Sequence, residues 1–100
     1  MTAYAAMAEP SRRHILDLLR DGERSVTDLV ARLNLSQPGV SKHLKVLRET
    51  RLVEVRREGK LRWYRLRAEP LSEVDQWLEP YRAHWSQRLD DLERHLEENP

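Results

Sequence analysis

The chain of 100 residues contains no cysteine, which excludes disulfides, thiol redox sensing and thiolate metal sites. Its three glycines, Gly22, Gly39 and Gly59, are too scattered to build a glycine-rich phosphate loop. No run of apolar residues approaches the length that spans a bilayer. The segment Met1 to Met7 lacks the basic region and long apolar stretch of a secretory signal. The expectation is a soluble, cytoplasmic protein with no membrane partner. Ser and His both occur, but no nucleophile and base stand in a local pattern that supports catalysis. The chain therefore reads as a non-enzyme that needs no cofactor. There is no repeat, low-complexity tract or linker, and the length is that of one domain. A chain this short buries a limited core, so a partner chain can help complete it.

What is present is charge, unevenly spread. The net charge is only +1. Yet from Lys42 to Arg67 there are ten Lys and Arg against three acids, and from Pro70 to Pro100 three against eight acids. A middle this basic in a near-neutral chain points to one surface aimed at a polyanion. The same charges would also suit a merely solvated face.

Apolar spacing orders the elements. Tyr4 to Met7 reads as a short helix. Pro10 suits a first helical position, and Ile15, Leu16, Leu18 and Leu19 supply an apolar face. Asp21-Gly22 ends this helix, with glycine able to take a left-handed cap. Ser25 caps the next helix, with Asp28 three residues on, near the capping-box position. Val26, Leu29, Val30 and Leu33 form its apolar stripe. Asn34-Leu35 makes a tight turn, and Ser36 caps a third helix that tolerates Pro38 in its first turn. Val40, Leu44 and Leu47 turn inward from it. Past Thr50 the period shortens. Leu52, Val53 and Val55 read as a strand, Glu58-Gly59-Lys60 as a turn, and Leu61 to Arg67 as a second strand favoured by Trp63 and Tyr64. From Pro70 the helical period returns. Leu71, Val74, Leu78, Tyr81, Trp85, Leu89, Leu92 and Leu96 recur at intervals of three and four, a heptad-like seam. Pro80 lies inside it, so the helix either kinks there or starts later.

Two short helices joined by a tight turn and followed by a hairpin have the order of a winged helix–turn–helix, whose second helix enters the major groove. The fold class is thus mainly α with a small β-hairpin, dimerising through the terminal helices. The chain divides into an N-terminal helix or arm (1–9), a winged core (10–67) and a C-terminal dimerisation helix (70–98). Opposite Val40, Leu44 and Leu47 the third helix shows Gln37, Pro38, Ser41, Lys42, Lys45 and Arg48, with no acid among them and Glu49 nearer the edge, and Ser36 at the helix start joins them as a DNA-contact candidate. Gln37 suits a bidentate contact with adenine. Ser41 is short enough for close approach, Lys42 reaches a guanine edge or a phosphate, and Lys45 and Arg48 meet phosphate. Helix-start N–H groups bind phosphate too. In the hairpin, Arg56, Arg57, Lys60 and Arg62 crowd around Gly59, as suits a wing that follows the backbone or enters a minor groove. Solvation, and protection of a strand edge, would explain the same charges.

The stretch Ser36-Gln37-Pro38-Gly39-Val40-Ser41-Lys42-His43-Leu44-Lys45-Val46-Leu47-Arg48, followed by Leu52-Val53, closely resembles the ArsR family of bacterial repressors. Glu9-Pro10-Ser11-Arg12-Arg13 with Ile15-Leu16 resembles its first core helix, and Arg57-Glu58-Gly59-Lys60, Trp63-Tyr64 and Leu66 its wing. The resemblance implies a dimeric repressor that binds an imperfect palindrome of double-stranded DNA near its own promoter. Two positions depart from it. Glu9 stands where a better-capping Asp is common, and Arg51 where Gly is common, so the helix end there closes differently.

The resemblance also raises metal sensing. Ser25 and Thr27, just before Asp28-Leu29, occupy the places of the family's paired thiolates. Ala68 and Pro70 stand near the places of a later Asp and His. His84, His95 and Glu98 reproduce part of the spacing of the family's last-helix zinc site, about fourteen residues late and with Arg82 in place of an Asp. Imidazole and carboxylate bind zinc in principle, but these three read as surface residues, as do His14 and His43 (or half-buried ones). No metal is expected. The cluster Trp77, Tyr81 and Trp85 reads as a dimer core rather than a ligand pocket. With Tyr4 and Met7, the residues Leu71, Val74, Leu78, Tyr81, Trp85, Leu89 and Leu92 are the expected interface. The last-helix segment resembles a branch of the family without a recognised metal site. The reading is a sequence-specific DNA-binding regulator, a homodimeric repressor. The alternatives are a metal- or small-molecule-responsive repressor using the C-terminal helix, or a winged-helix module that binds an acidic protein.

Overall fold

The computed structural model describes residues 1–98. The starts of the first four helices are each set by a side chain that satisfies a free backbone N–H. Thr2 caps α1 (Ala3–Met7), and Glu9 caps α2 (Pro10–Leu19) by accepting from the Arg12 N–H at 3.0 Å. The α2 helix ends in right-handed geometry at Arg20. Gly22 has φ +144°, so it supplies a sharp bend and not the left-handed cap expected from sequence. Ser25 accepts from the Asp28 N–H at 3.1 Å to start α3 (Val26–Leu33), and Asn34, at φ 54°, closes it in left-handed geometry. Asparagine tolerates that region better than most residues do. Ser36 starts α4 (Gln37–Glu49) by accepting from the Gly39 N–H at 3.1 Å. A β-carbon on Gly39 would lie 3.2 Å from that same hydroxyl, so glycine lets the cap close.

The α4 helix ends in a Schellman motif. The Leu52 N–H donates to the Leu47 carbonyl at 2.9 Å, and the Arg51 N–H to Arg48 at 3.0 Å. Arg51 takes the left-handed place in this motif, at φ 61°, so the departure seen in sequence is accommodated by backbone strain on a residue with a β-carbon. Leu52 follows as a fully buried residue and not as the first residue of a strand.

The hairpin consists of β2 (Val53–Glu58) and β3 (Leu61–Leu66), antiparallel, with Val55 opposite Tyr64 and Arg57 opposite Arg62. Gly59 turns the chain at φ 60°. A third strand, β1 (Arg24–Ser25), pairs antiparallel with β3, giving the order β1-β3-β2. The sheet thus has three strands where the sequence pattern showed only a hairpin. Two residues are too few to carry an alternating pattern of their own.

The core joins Ile15, Leu16 and Leu19 of α2, Leu29 of α3, Val40, Leu44 and Leu47 of α4, Leu52 of the connection that follows, and Val53 and Tyr64 of the sheet. Ala3 and Ala6 of α1 close it on one side. The last helix, α5 (Leu71–Glu98), starts at Leu71 and runs through Pro80, so the later start is not used. It contributes no buried residue. Tyr4 ties it to α1, stacking edge-on against Trp77 at 6.1 Å and donating its hydroxyl to the Glu73 carbonyl at 3.1 Å.

Candidate nucleic-acid interface

With Val40, Leu44 and Leu47 locked in the core, the opposite surface of α4 has only one direction to face. Gln37, Pro38, Ser41, Lys42, Lys45 and Arg48 are all exposed. Gln37, Ser41, Lys45 and Arg48 fall within an arc of about 80° at 100° per residue. They form one wall of an open groove. The hairpin forms the other wall through Lys60, Leu61, Arg62 and Tyr64, and the start of α3 closes the end through Ser25, Val26 and Thr27. Six of the residues singled out in sequence therefore meet in one groove: Gln37, Ser41, Lys45, Arg48, Lys60 and Arg62. Ser36, Pro38 and Lys42 lie on the exposed helix surface outside its lining.

Strand register separates the wing cations. Side chains alternate between faces, so Arg57 and Arg62 share the face of Val55 and Tyr64, while Arg56 lies on the other. Arg57 and Arg62 are direct cross-strand partners. Like charges in that position repel, and a polyanion relieves the repulsion. Arg56 is instead paired with Glu23 and with Glu58, each at 2.9 Å. Its hydrogen bond to Glu23 holds that carboxyl below the usual range. Among the described residues no carboxylate pairs with Lys42, Lys45, Arg48, Arg57, Lys60 or Arg62. The wing thus offers three unspent cations beside the groove and one that is held.

Sequence reasoning missed Ser25, Val26 and Thr27 as groove residues. The Ser25 cap was legible, but its position beside the wing comes from β1 pairing with β3, where Ser25 lies opposite Trp63. It also missed Glu23, whose partner is 33 residues away.

The terminal-helix residues fall into two sets. Met7 and Leu71 pack on the core of their own chain, and Val74 and Leu78 are half-buried. Tyr4, Tyr81, Trp85, Leu89 and Leu92 are exposed, as are Trp77 and Leu96. His84 and His95 are eleven residues apart on one continuous helix, a rise of about 16 Å, so one chain cannot bring both to one ion. Among the described residues no group of three or more His, Asp or Glu is placed to hold a metal. His43 is half-buried, with Nδ1 3.5 Å from Arg12 and Nε2 3.9 Å from Glu9, and His14 is exposed.

Residues 9–55 match the family model described as bacterial regulatory protein, arsR family. The transcriptional repressor SdpR of Bacillus subtilis is 32% identical over 75% of this chain and 83% of its own length. The chain belongs to the arsR family. The transcriptional activator HlyU of Vibrio cholerae is 46% identical over 61% of this chain and 56% of that protein. In three dimensions, the crystal structure of a possible transcriptional regulator for arsenical resistance has a TM-score of 0.72. It is 35% identical, with 91% of this chain and 92% of that one covered. As an ArsR-family protein of winged helix–turn–helix fold, the chain is a DNA-binding transcriptional regulator, and the proteins it matches are regulators of transcription.

Proposed function

We propose that this regulator acts as a cytoplasmic homodimer that represses transcription by occupying an imperfect palindrome, and that it performs no catalysis. One observation carries the DNA-contact assignment. Gln37, Ser41, Lys45 and Arg48 converge with Lys60 and Arg62 on one groove, with the planar amide and short hydroxyl nearer the helix start and the cations toward its end. In this reading Gln37 and Ser41 read base edges. Ser36, Pro38 and Lys42 lie along the helix surface that enters the major groove. Lys45, Arg48, Arg57, Lys60 and Arg62 hold phosphates, and Arg56 contributes only if it leaves Glu23. Repression, rather than activation, follows the likeness to SdpR.

The dimer reading assigns residues 1–9 and 70–98 to the partner and 10–67 to the DNA. Its support is shape. The Cα radius of gyration is 18.3 Å, against about 13 Å for a compact chain of this length. The excess is α5, whose apolar stripe has no cover from its own chain: Trp85 is 50% exposed and Leu89 65%.

Selection of bound sequences from random duplex DNA tests the whole reading. The expected product is a palindrome with half-site centres about 34–36 Å apart. Gln37→Ala should relax the preference at one base position, by about 1–3 kcal/mol if the contact is bidentate. Lys45→Ala should weaken all duplexes alike and lower the salt slope by about one. A selection profile unchanged by Gln37→Ala would remove that residue from base readout. Absence of any enriched sequence, with capture of an acidic protein instead, would replace the DNA reading by that of a protein-binding module.

A further inference from the structure

We propose that a second cleft, at the C-terminal end of α4, binds a small dipolar molecule carrying a phosphate or carboxylate at one end and an ammonium at the other. The cleft has a volume of about 690 Å³, within the range of about 300–1,000 Å³ of small-molecule sites. It lies between the end of α4, the root of the hairpin and the first turn of α5. Six charged side chains line it: Arg48, Arg51, Arg67, Glu54, Glu69 and Glu73. Three of them are spent on each other. Arg67 pairs with Glu54 at 2.8 Å and with Glu69 at 3.3 Å, and Glu54 also holds Arg65. The guanidiniums of Arg48 and Arg51 and the carboxylate of Glu73 are left without an ion pair among the described residues.

The backbone singles out Arg51 independently. It holds φ 61°, the left-handed place that glycine usually fills after a helix. The two hydrogen bonds of the Schellman motif use only backbone atoms, so glycine would make them equally well and without strain. What the position retains by carrying arginine is a cationic residue in the lining of this cleft. Strain kept at a site that does not need it for folding points to a role for the side chain.

The lining selects the ligand class. Two free guanidiniums call for an anionic group with several acceptor oxygens. The lining carries three carboxylates as well, and the unspent Glu73 calls for a cation. A small molecule with both charges satisfies all three unspent groups. Arg48 lines both this cleft and the DNA groove, so a ligand that engages it draws charge from the DNA surface and lowers DNA affinity. That consequence rests on the reading of Arg48 as a phosphate contact. The ligand site itself does not.

The test titrates the full chain, without DNA, with phosphoethanolamine, inorganic phosphate and ethanolamine, followed by calorimetry. Phosphoethanolamine should bind saturably and at least tenfold more tightly than either fragment. Arg51→Gly, which removes strain and so keeps the fold, should weaken this at least tenfold, and Glu73→Gln should erase the advantage over inorganic phosphate. Phosphoethanolamine should also loosen the selected duplex from the parent and not from Arg51→Gly. If the probe binds as expected but no duplex is selected, the ligand site stands and the DNA contact of Arg48 falls. Absence of saturable binding to the parent, or equal binding to Arg51→Gly, would overturn the proposal. So would an inert probe combined with a salt slope of DNA binding that falls by about one in Arg51→Gly, which would make Arg51 a duplex contact.

Discussion

At the scale of single residues, position in a motif decides what a charge does. Asp28 sits at the third residue of α3 and receives Arg24 at 2.8 Å and Arg32 at 3.0 Å. The Arg24 hydrogen bond, then that of Arg32, holds its carboxyl below the ordinary 3.8. A lowered folded-state value means a contribution present above about pH 4 and lost as pH falls through that lowered value. Parent and Asp28→Asn should therefore differ more in denaturant midpoint at pH 7 than at pH 2. A gap of equal size at both would show that the ion pairs are not its source. Arg51 makes the opposite case, a residue that costs stability where it stands. Relief of its left-handed backbone is worth roughly 1–2 kcal/mol, and the extra freedom of unfolded glycine takes back roughly 0.5–1 kcal/mol. Arg51→Gly should raise stability by a net of roughly 0.5–1 kcal/mol, a rise of a few degrees in Tm. A fall in Tm would mean that the guanidinium makes contacts that stabilise the fold.

At the scale of elements, α4 and α5 differ in what their apolar stripes find. The stripe of α4 meets α2, α3 and the sheet and is buried. Leu71, Val74, Leu78, Tyr81, Trp85, Leu89, Leu92 and Leu96 fall within an arc of about 80° at 100° per residue, yet only the first three have partial cover. Exposed apolar surface of this extent marks an interface. Truncation of a packed aromatic costs roughly 3–5 kcal/mol, so Trp85→Ala should shift the protein toward monomer at micromolar concentration, with weaker DNA binding. Sedimentation decides. A parent that is monomeric at high concentration and still binds a palindrome tightly would refute the dimer. A Trp85→Ala protein that stays dimeric would move the interface toward α1, around Tyr4.

At the scale of the whole molecule, charge is sorted by function. The basic groove and wing belong to the DNA side of the proposal, and the acidic α5 keeps negative charge away from it, which orients approach to a polyanion. The heptad stripe and the acidic residues share one helix because the stripe uses only one arc. With Ser25 and Thr27 in place of thiolates, and His84 and His95 far apart on one helix, neither chelator nor added zinc should change DNA affinity. A tenfold shift abolished by His95→Ala would show that two chains together assemble a zinc site from His84, His95 and Glu98.

Sequence alone determined whatever depends on near neighbours. The caps at Ser25 and Ser36 act over three residues, the buried face of α4 follows from helical period, and the hairpin follows from alternation around Gly59. The composition of the exposed face of α4 was legible for the same reason, since a helix that buries Val40, Leu44 and Leu47 must expose Gln37, Ser41 and Lys45. Tertiary structure decided whatever depends on register between distant segments. Pairing of β1 with β3 brought Ser25 to the groove. The alternation of β2 set Arg56 apart from Arg57, and Glu23 claimed it from 33 residues away. The meeting of the α4 terminus with the root of α5 made a cleft that no local pattern announces. Such contacts cost chain entropy and are made only when the whole core forms, so no short window of sequence contains them.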